Sequence, residues 1–151
     1  MTAELSDEIV TDPETAVIAY LAPLHPHVPG SAKQSVANFR ESGWPLPFIL
    51  VKELPGQENV DESDVDALVS VHTLVHKAAG RSALRDEADR THRRMLWIAQ
   101  TLPTVLIPGV GYAEFDYVRV VSRPHPEDYG DEQILRKVGR YGIGLSYAKV
   151  Q

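Results

Sequence analysis

Residues Ala67 to His76 read ALVSVHTLVH, and the way this run alternates decides what kind of fold the chain can build. Val65, Ala67, Val69, Val71, Thr73 and Val75 fall on one side, with Asp66, Leu68, Ser70, His72, Leu74 and His76 on the other. A period of two in β-branched residues marks an extended strand, because successive side chains leave a pleated chain on opposite faces. Leu68 and Leu74 make the second side partly apolar, as expected of an interior strand covered on one face and half covered on the other.

Beyond that strand the pattern changes to that of a helix. Gly80-Arg81-Ser82 interrupts the alternation, and Ser82 is placed to cap the free amides of a first turn. Leu84, Ala88, Thr91, Met95, Ile98 and Leu102 then recur at alternating steps of four and three, which lays one apolar stripe along a helix that must pack on a sheet. Asp86, Glu87 and Asp89 precede Arg90, Arg93 and Arg94, the order a helix dipole favours, and Pro103 ends the run. Trp97 falls off the stripe onto the charged side, within reach of Arg93 one turn back.

Upstream, Met1 to Thr11 is an acidic lead expected to be flexible, and the domain proper runs 12–151. Asp12-Pro13-Glu14 opens a helix with a cap, a proline at the first helical position and an acid in the first turn. Val17, Tyr20, Leu21 and Leu24 give that helix its apolar face, until Pro23 and the turn-forming HPHVPG of residues 25–30 end it. A short strand is expected near Lys33 to Val36, a loop carrying Trp44 over Arg40 to Pro47, and a clear strand over Phe48 to Leu54. Pro55 to Asp66 holds five acids and no base, so it should be a solvated connection between two strands.

Downstream, Leu106 to Tyr112 is punctuated by Gly and Pro, Tyr112 to Arg123 alternates as a long strand, and Pro124 to Gln133 is polar loop. Arg136, Lys137 and Arg140 lead into a closing strand with Tyr141, Ile143, Leu145 and Tyr147 on one side. Its other side carries Gly142, Gly144, Ser146 and Ala148, small residues that admit the close approach of a helix or a neighbouring subunit. The sum is an α+β domain: a mostly antiparallel sheet of four to five strands with two helices packed on one face.

Composition narrows the function. At 151 residues the chain is one domain with room for an ordinary core. A formal charge of -6 argues against a general nucleic-acid or anionic-membrane surface. Zero cysteines exclude disulfides, thiolate metal sites and thiol nucleophiles. No segment has the apolar length of a signal peptide or membrane span, so an unprocessed, soluble protein is expected.

Candidate chemistry is sparse. His72 and His76 have the spacing of a metal-binding helix, but in a strand such residues stand about 13 Å apart, too far to share an ion. The segment between them also lacks the glutamate of a zinc protease. His25 and His27 flank a turn proline. His92, Asp89 and Ser82 come from one helix and its cap, without the geometry of a nucleophilic triad. Gly109 and Gly111 lack the third glycine of a dinucleotide loop. Arg81, Arg85, Arg90, Arg93 and Arg94 are interleaved with acids, as on a salt-bridged solvent face.

Three stretches together resemble the tail terminator family of long-tailed bacteriophages, also called minor tail or tail completion proteins. DPETAVIAYL is similar to the family's short N-terminal helix. FILVKELPG, an acidic loop, and DVDALVSVHTLVH running into a helix resemble its central core, and RYGIGLSYAKVQ its closing strand. The resemblance implies a hexameric ring that caps the tail tube, stops its growth and offers a joining surface to the head–tail connector. It implies self-association, tail tube and neck proteins as partners, DNA only passing through the lumen, and a place in the virion after synthesis in the host cytoplasm. It implies no enzyme, no cofactor, no metal and no membrane. A ring needs two unlike side surfaces. The expected contacts are the acidic loop with Glu58, Asp61 and Glu62, the helix with Arg90, Arg93 and Arg94, and the two tryptophans Trp44 and Trp97. A neck connector or stopper ring is the nearest alternative; a small metal-dependent enzyme using His72, His76 and His125 is the more distant one.

Overall fold

The computed structural model describes residues 12–25, 33–54, 64–107 and 111–149. The acidic lead, His27, Gly109 and the acids Glu58, Asp61 and Glu62 lie outside the described residues.

Asp12 caps the first helix, α1 (Pro13–Leu21): its carboxylate accepts from the Glu14 amide at 3.0 Å and the Thr15 hydroxyl at 2.7 Å. A 3-10 turn over Ala22–Leu24 ends it. Six strands complete the sheet: β1 (Val36–Ala37), β2 (Phe48–Leu54), β3 (Asp64–His76), β4 (Thr104–Ile107), β5 (Gly111–Glu127) and β6 (Ile134–Lys149). Between β3 and β4 runs α2 (Gly80–Thr101).

The strands form one sheet in the order β1-β2-β3-β6-β5-β4, curled into a half-barrel. All pairs are antiparallel except β1–β2, which is parallel. The expected sheet of four to five mostly antiparallel strands is therefore corrected to a mixed sheet of six. The difference comes from the margins. The short strand expected near Lys33 to Val36 is β1, whose parallel pairing makes the sheet mixed. The sixth strand is four-residue β4, too short to carry a periodic signal and made a strand by its pairing with β5.

The face covered by the helices holds the main core. Ile49, Val51, Val69, Val71, Tyr141, Ile143 and Leu145 meet Val17 and Leu21 of α1 and Met95 and Ile98 of α2. Five members of the helix stripe are buried, whereas Leu102 is half exposed. Leu102 leaves the helix as its C-cap in the left-handed region, at φ 42, ahead of Pro103. The helix also starts earlier than Ser82 implies. A 3-10 turn over Lys77–Ala79 runs into Gly80, whose φ of 91 only glycine takes without strain, and no side chain caps α2.

The two helices are locked to each other by polar groups. The Tyr20 hydroxyl donates to the Arg94 carbonyl at 2.8 Å, while the Arg94 guanidinium donates to the Tyr20 carbonyl at 3.0 Å and lies 4.2 Å over its ring. Glu14 ties α1 to the sheet, accepting from the Glu53 amide at 2.6 Å and the Asn38 side chain at 3.0 Å.

On the opposite face a smaller cluster of Phe48, Leu50, Leu74 and Ile134 is covered by Trp44, Leu46 and Tyr129. Further along that face, the glycines of β6 are filled by the adjacent strand. A Cβ at Gly142 would meet the Arg119 side chain at 2.8 Å, and one at Gly144 would collide with the Tyr117 ring. The approach expected of a helix or second subunit is thus made by β5 itself. A register shift between Phe115 and Tyr117 makes this possible. It turns Phe115 and Val118 to the core, while Tyr117 reaches over the glycine to Asp66 at 2.5 Å.

Candidate functional site: sheet margins, a polar network and a basic cavity

The expected contact residues fall into two groups, engaged and free. Arg90 donates to the Leu24 carbonyl at 2.8 Å and Arg94 clamps Tyr20, so both are engaged within the chain. Arg93 and Trp97 do point outward, Trp97 with 52% of its surface exposed. Trp44 is half-buried, with its ring 5.0 Å from Phe39 and 6.1 Å from Phe48, and its carbonyl accepts from Arg40 at 2.5 Å. Phe39, beside it, is the more exposed aromatic at 47%.

The sheet ends in two unlike margins. One is β1 with the Phe39–Trp44 loop. The other is β5, whose pairing with β4 covers Gly111 to Glu114 only. From Asp116 to Glu127, β5 is bonded to β6 on one side and, among the described residues, to no strand on the other. Exposed Val120 and Val121 lie on this stretch. Further register shifts on either side of Ser122 twist it, which blunts indiscriminate pairing of an open edge.

The histidines weighed above as metal or catalytic candidates have partners within the chain. His76 Nδ1 accepts from the Ala78 amide at 3.3 Å, serving as a cap for the turn after β3. His72 is buried between Ser70 and Arg136. Arg136 donates to Nδ1 at 3.1 Å, which leaves Nε2 to carry the proton and donate to Ser70 Oγ at 2.9 Å. Ser70 in turn donates to the Lys52 carbonyl at 3.3 Å. Both ring nitrogens of His72 and the Ser70 hydroxyl are satisfied with the imidazole neutral, whereas Arg136 Nε finds no hydrogen-bond partner among the described residues. Burial, then the Arg136 guanidinium beside it, push His72 down to about 4. His92 sits under α2 with Nδ1 2.6 Å from the Tyr141 hydroxyl. Burial lowers the His92 pKa and raises that of Tyr141, so the pair is neutral and the phenol donates.

The network continues across β5 and β6. Glu127 Oε2 accepts from His125 Nε2 at 2.7 Å and Arg140 at 3.0 Å, and Arg140's hydrogen bond holds the carboxyl below its usual range. Arg136 donates to the Asp128 carbonyl and stacks 5.5 Å over Tyr129. This staples the far end of the β5–β6 arm to β3. No signal in the sequence could have joined His72 to residues so far along the chain.

Beside the staple, between the first turns of α2 and the arm, lies an open cavity of about 500 Å³. Arg81, Arg85, Arg136 and Lys137 supply its cations, and Leu84 and Ile134 an apolar floor. Among the described residues no group of three or more His, Asp or Glu side chains is placed to hold a metal ion. No helix there is long and apolar enough to cross a membrane. Comparison with protein-family models returns no match, and neither does comparison with curated proteins.

Proposed function

We propose that the protein is a structural subunit that assembles with copies of itself into a closed ring, in the manner of the tail terminators it resembles. In that reading the ring caps a tail tube, ends its polymerisation and presents a surface to the head connector. The observation that carries it is the pair of unlike sheet margins. A contact that joins one margin to the other is heterologous, and repeated by rotation it closes a ring. The open stretch of β5 offers unpaired backbone groups and two exposed valines, and the β1 side offers Phe39. The net charge of -6 suits a lumen through which DNA slides without being held.

Sedimentation velocity over a concentration series, followed by negative-stain imaging with and without purified tail tubes, tests this. A concentration-dependent oligomer that caps tube ends is expected, and Val121→Lys on the open edge should weaken it. A chain that stays monomeric at high concentration and ignores tube ends would overturn the reading. Rings that bind a portal complex in preference to tubes would replace the terminator with a neck stopper.

A further inference from the structure

We infer that the basic cavity beside α2 receives the acidic segment 55–63 of a second copy of this chain. The inference rests on the self-assembly reading and adds a second contact to the one between the sheet margins.

In the cavity, positive side chains outnumber negative ones. Four cations and two carboxylates line it, on a chain whose overall charge is -6. Glu127 is already paired with Arg140 and hydrogen-bonded to His125, and the Asp128 carboxylate accepts from the Gly130 amide at 3.2 Å. Among the described residues Arg81 and Lys137 enter no ion pair. Arg85 reaches only Asp86, at 3.7 Å with both side chains mostly in solvent. Arg81 and Arg85 stand one turn apart on α2, so they face the same way. The site therefore presents unspent positive charge above an apolar floor. A peptide with several carboxylates and a small aliphatic side chain matches it.

Residues 55–63 read PGQENVDES: Glu58, Asp61 and Glu62 surround Val60, with no basic residue. They join β2 to β3, and their anchors show that they cannot fill their own cavity. The cavity lies at the His76 end of β3, whereas Asp64 is the other end of that 13-residue strand, about 40 Å away at the usual rise. Leu54 pairs with Leu68, eight residues short of His76, or roughly 27 Å. Reaching the cavity and returning would need about 65 Å, while the ten peptide steps from Leu54 to Asp64 span at most about 35 Å. A 55–63 segment seated in the cavity must therefore come from another molecule. Acidic segment and basic cavity belong to opposite ends of β3, so the contact joins two different surfaces and is compatible with a head-to-tail ring.

Two measurements test this. In the first, a fluorescent PGQENVDES peptide is titrated into the purified protein. Binding should weaken as salt rises, because partly exposed ion pairs are screened, and weaken at least about tenfold in the Arg81→Glu/Arg85→Glu variant. In the second, sedimentation compares wild type, that variant, the loop variant Glu58→Lys/Asp61→Lys/Glu62→Lys, and the combination of both reversals. Each reversal alone should dissociate the assembly, and the combination should restore it. If the cavity variant fails to fold, Lys137→Glu replaces it beside the same loop variant. A wild-type assembly indifferent to both reversals overturns this contact and leaves self-assembly standing. Reversals that dissociate the assembly without restoration in combination overturn it too, as does a peptide displaced equally well by inorganic phosphate. A wild type that never assembles removes the ring reading itself.

Discussion

Replacing His72 with glutamine should make the protein more resistant to mild acid. In the folded chain His72 is held neutral, with a pKa of about 4 against an ordinary 6.5. The native state therefore binds fewer protons than the unfolded state between those values, and stability falls as pH drops through that window. Above pH 6.5 the contribution is fully present; below pH 4 it is lost. The whole shift corresponds to about 3 kcal/mol, and the part lost between about pH 7.5 and about pH 5 is roughly 2 kcal/mol. Glutamine keeps a polar group of similar reach, able to accept from Arg136 and donate to Ser70, but does not titrate. Urea unfolding of both proteins at the two pH values isolates this residue, because the other titrating groups, His25 and His92 among them, are common to both and cancel. The wild type should lose about 2 kcal/mol more than His72→Gln over that interval. Parallel losses would mean that His72 is solvated enough to titrate normally, and the buried neutral network would have to be abandoned.

Arg94→Ala should destabilise the fold by about 2 kcal/mol, since it removes two hydrogen bonds to the Tyr20 carbonyl and a stacked cation; thermal unfolding reads it directly. Gly144→Ala should cost about 1–2 kcal/mol by forcing the Tyr117 ring off the sheet, and a double-mutant cycle with Tyr117→Ala should abolish most of that cost. An additive cycle would show that Tyr117 is not what fills the glycine. Leu102→Gly should change stability by less than about 1 kcal/mol, because relief of the left-handed C-cap is offset by loss of the half of the leucine that is buried. A larger loss of stability in denaturant would mean that the exposed half of the leucine packs on something in solution.

Local physics made much of this chain legible from its residues. Asp12-Pro13-Glu14 announced α1, because a carboxylate cap and a proline at the first helical position act within one turn. The alternation of β3 and the stripe from Leu84 to Ile98 likewise reflect the fixed periods of a pleated strand and an α-helix. Tertiary structure decided what depends on a distant partner. Thr104 to Ile107 is a strand only because a longer neighbour pairs with it, and the pairings at the two margins gave the sheet six strands with one parallel edge. The bulge at Asp116 reversed which residues of β5 face the core, a phase that no period-two count can see. Arg90 and Arg94 looked like surface charge until α1 and the turn after it supplied backbone carbonyls for them. His72 became a buried neutral base, and the basic cavity came into being, only when the β5–β6 arm folded back beside β3 and α2. Periodicity is a property of a short segment, whereas burial, partner and charge environment belong to residues that meet in space after long excursions of the chain.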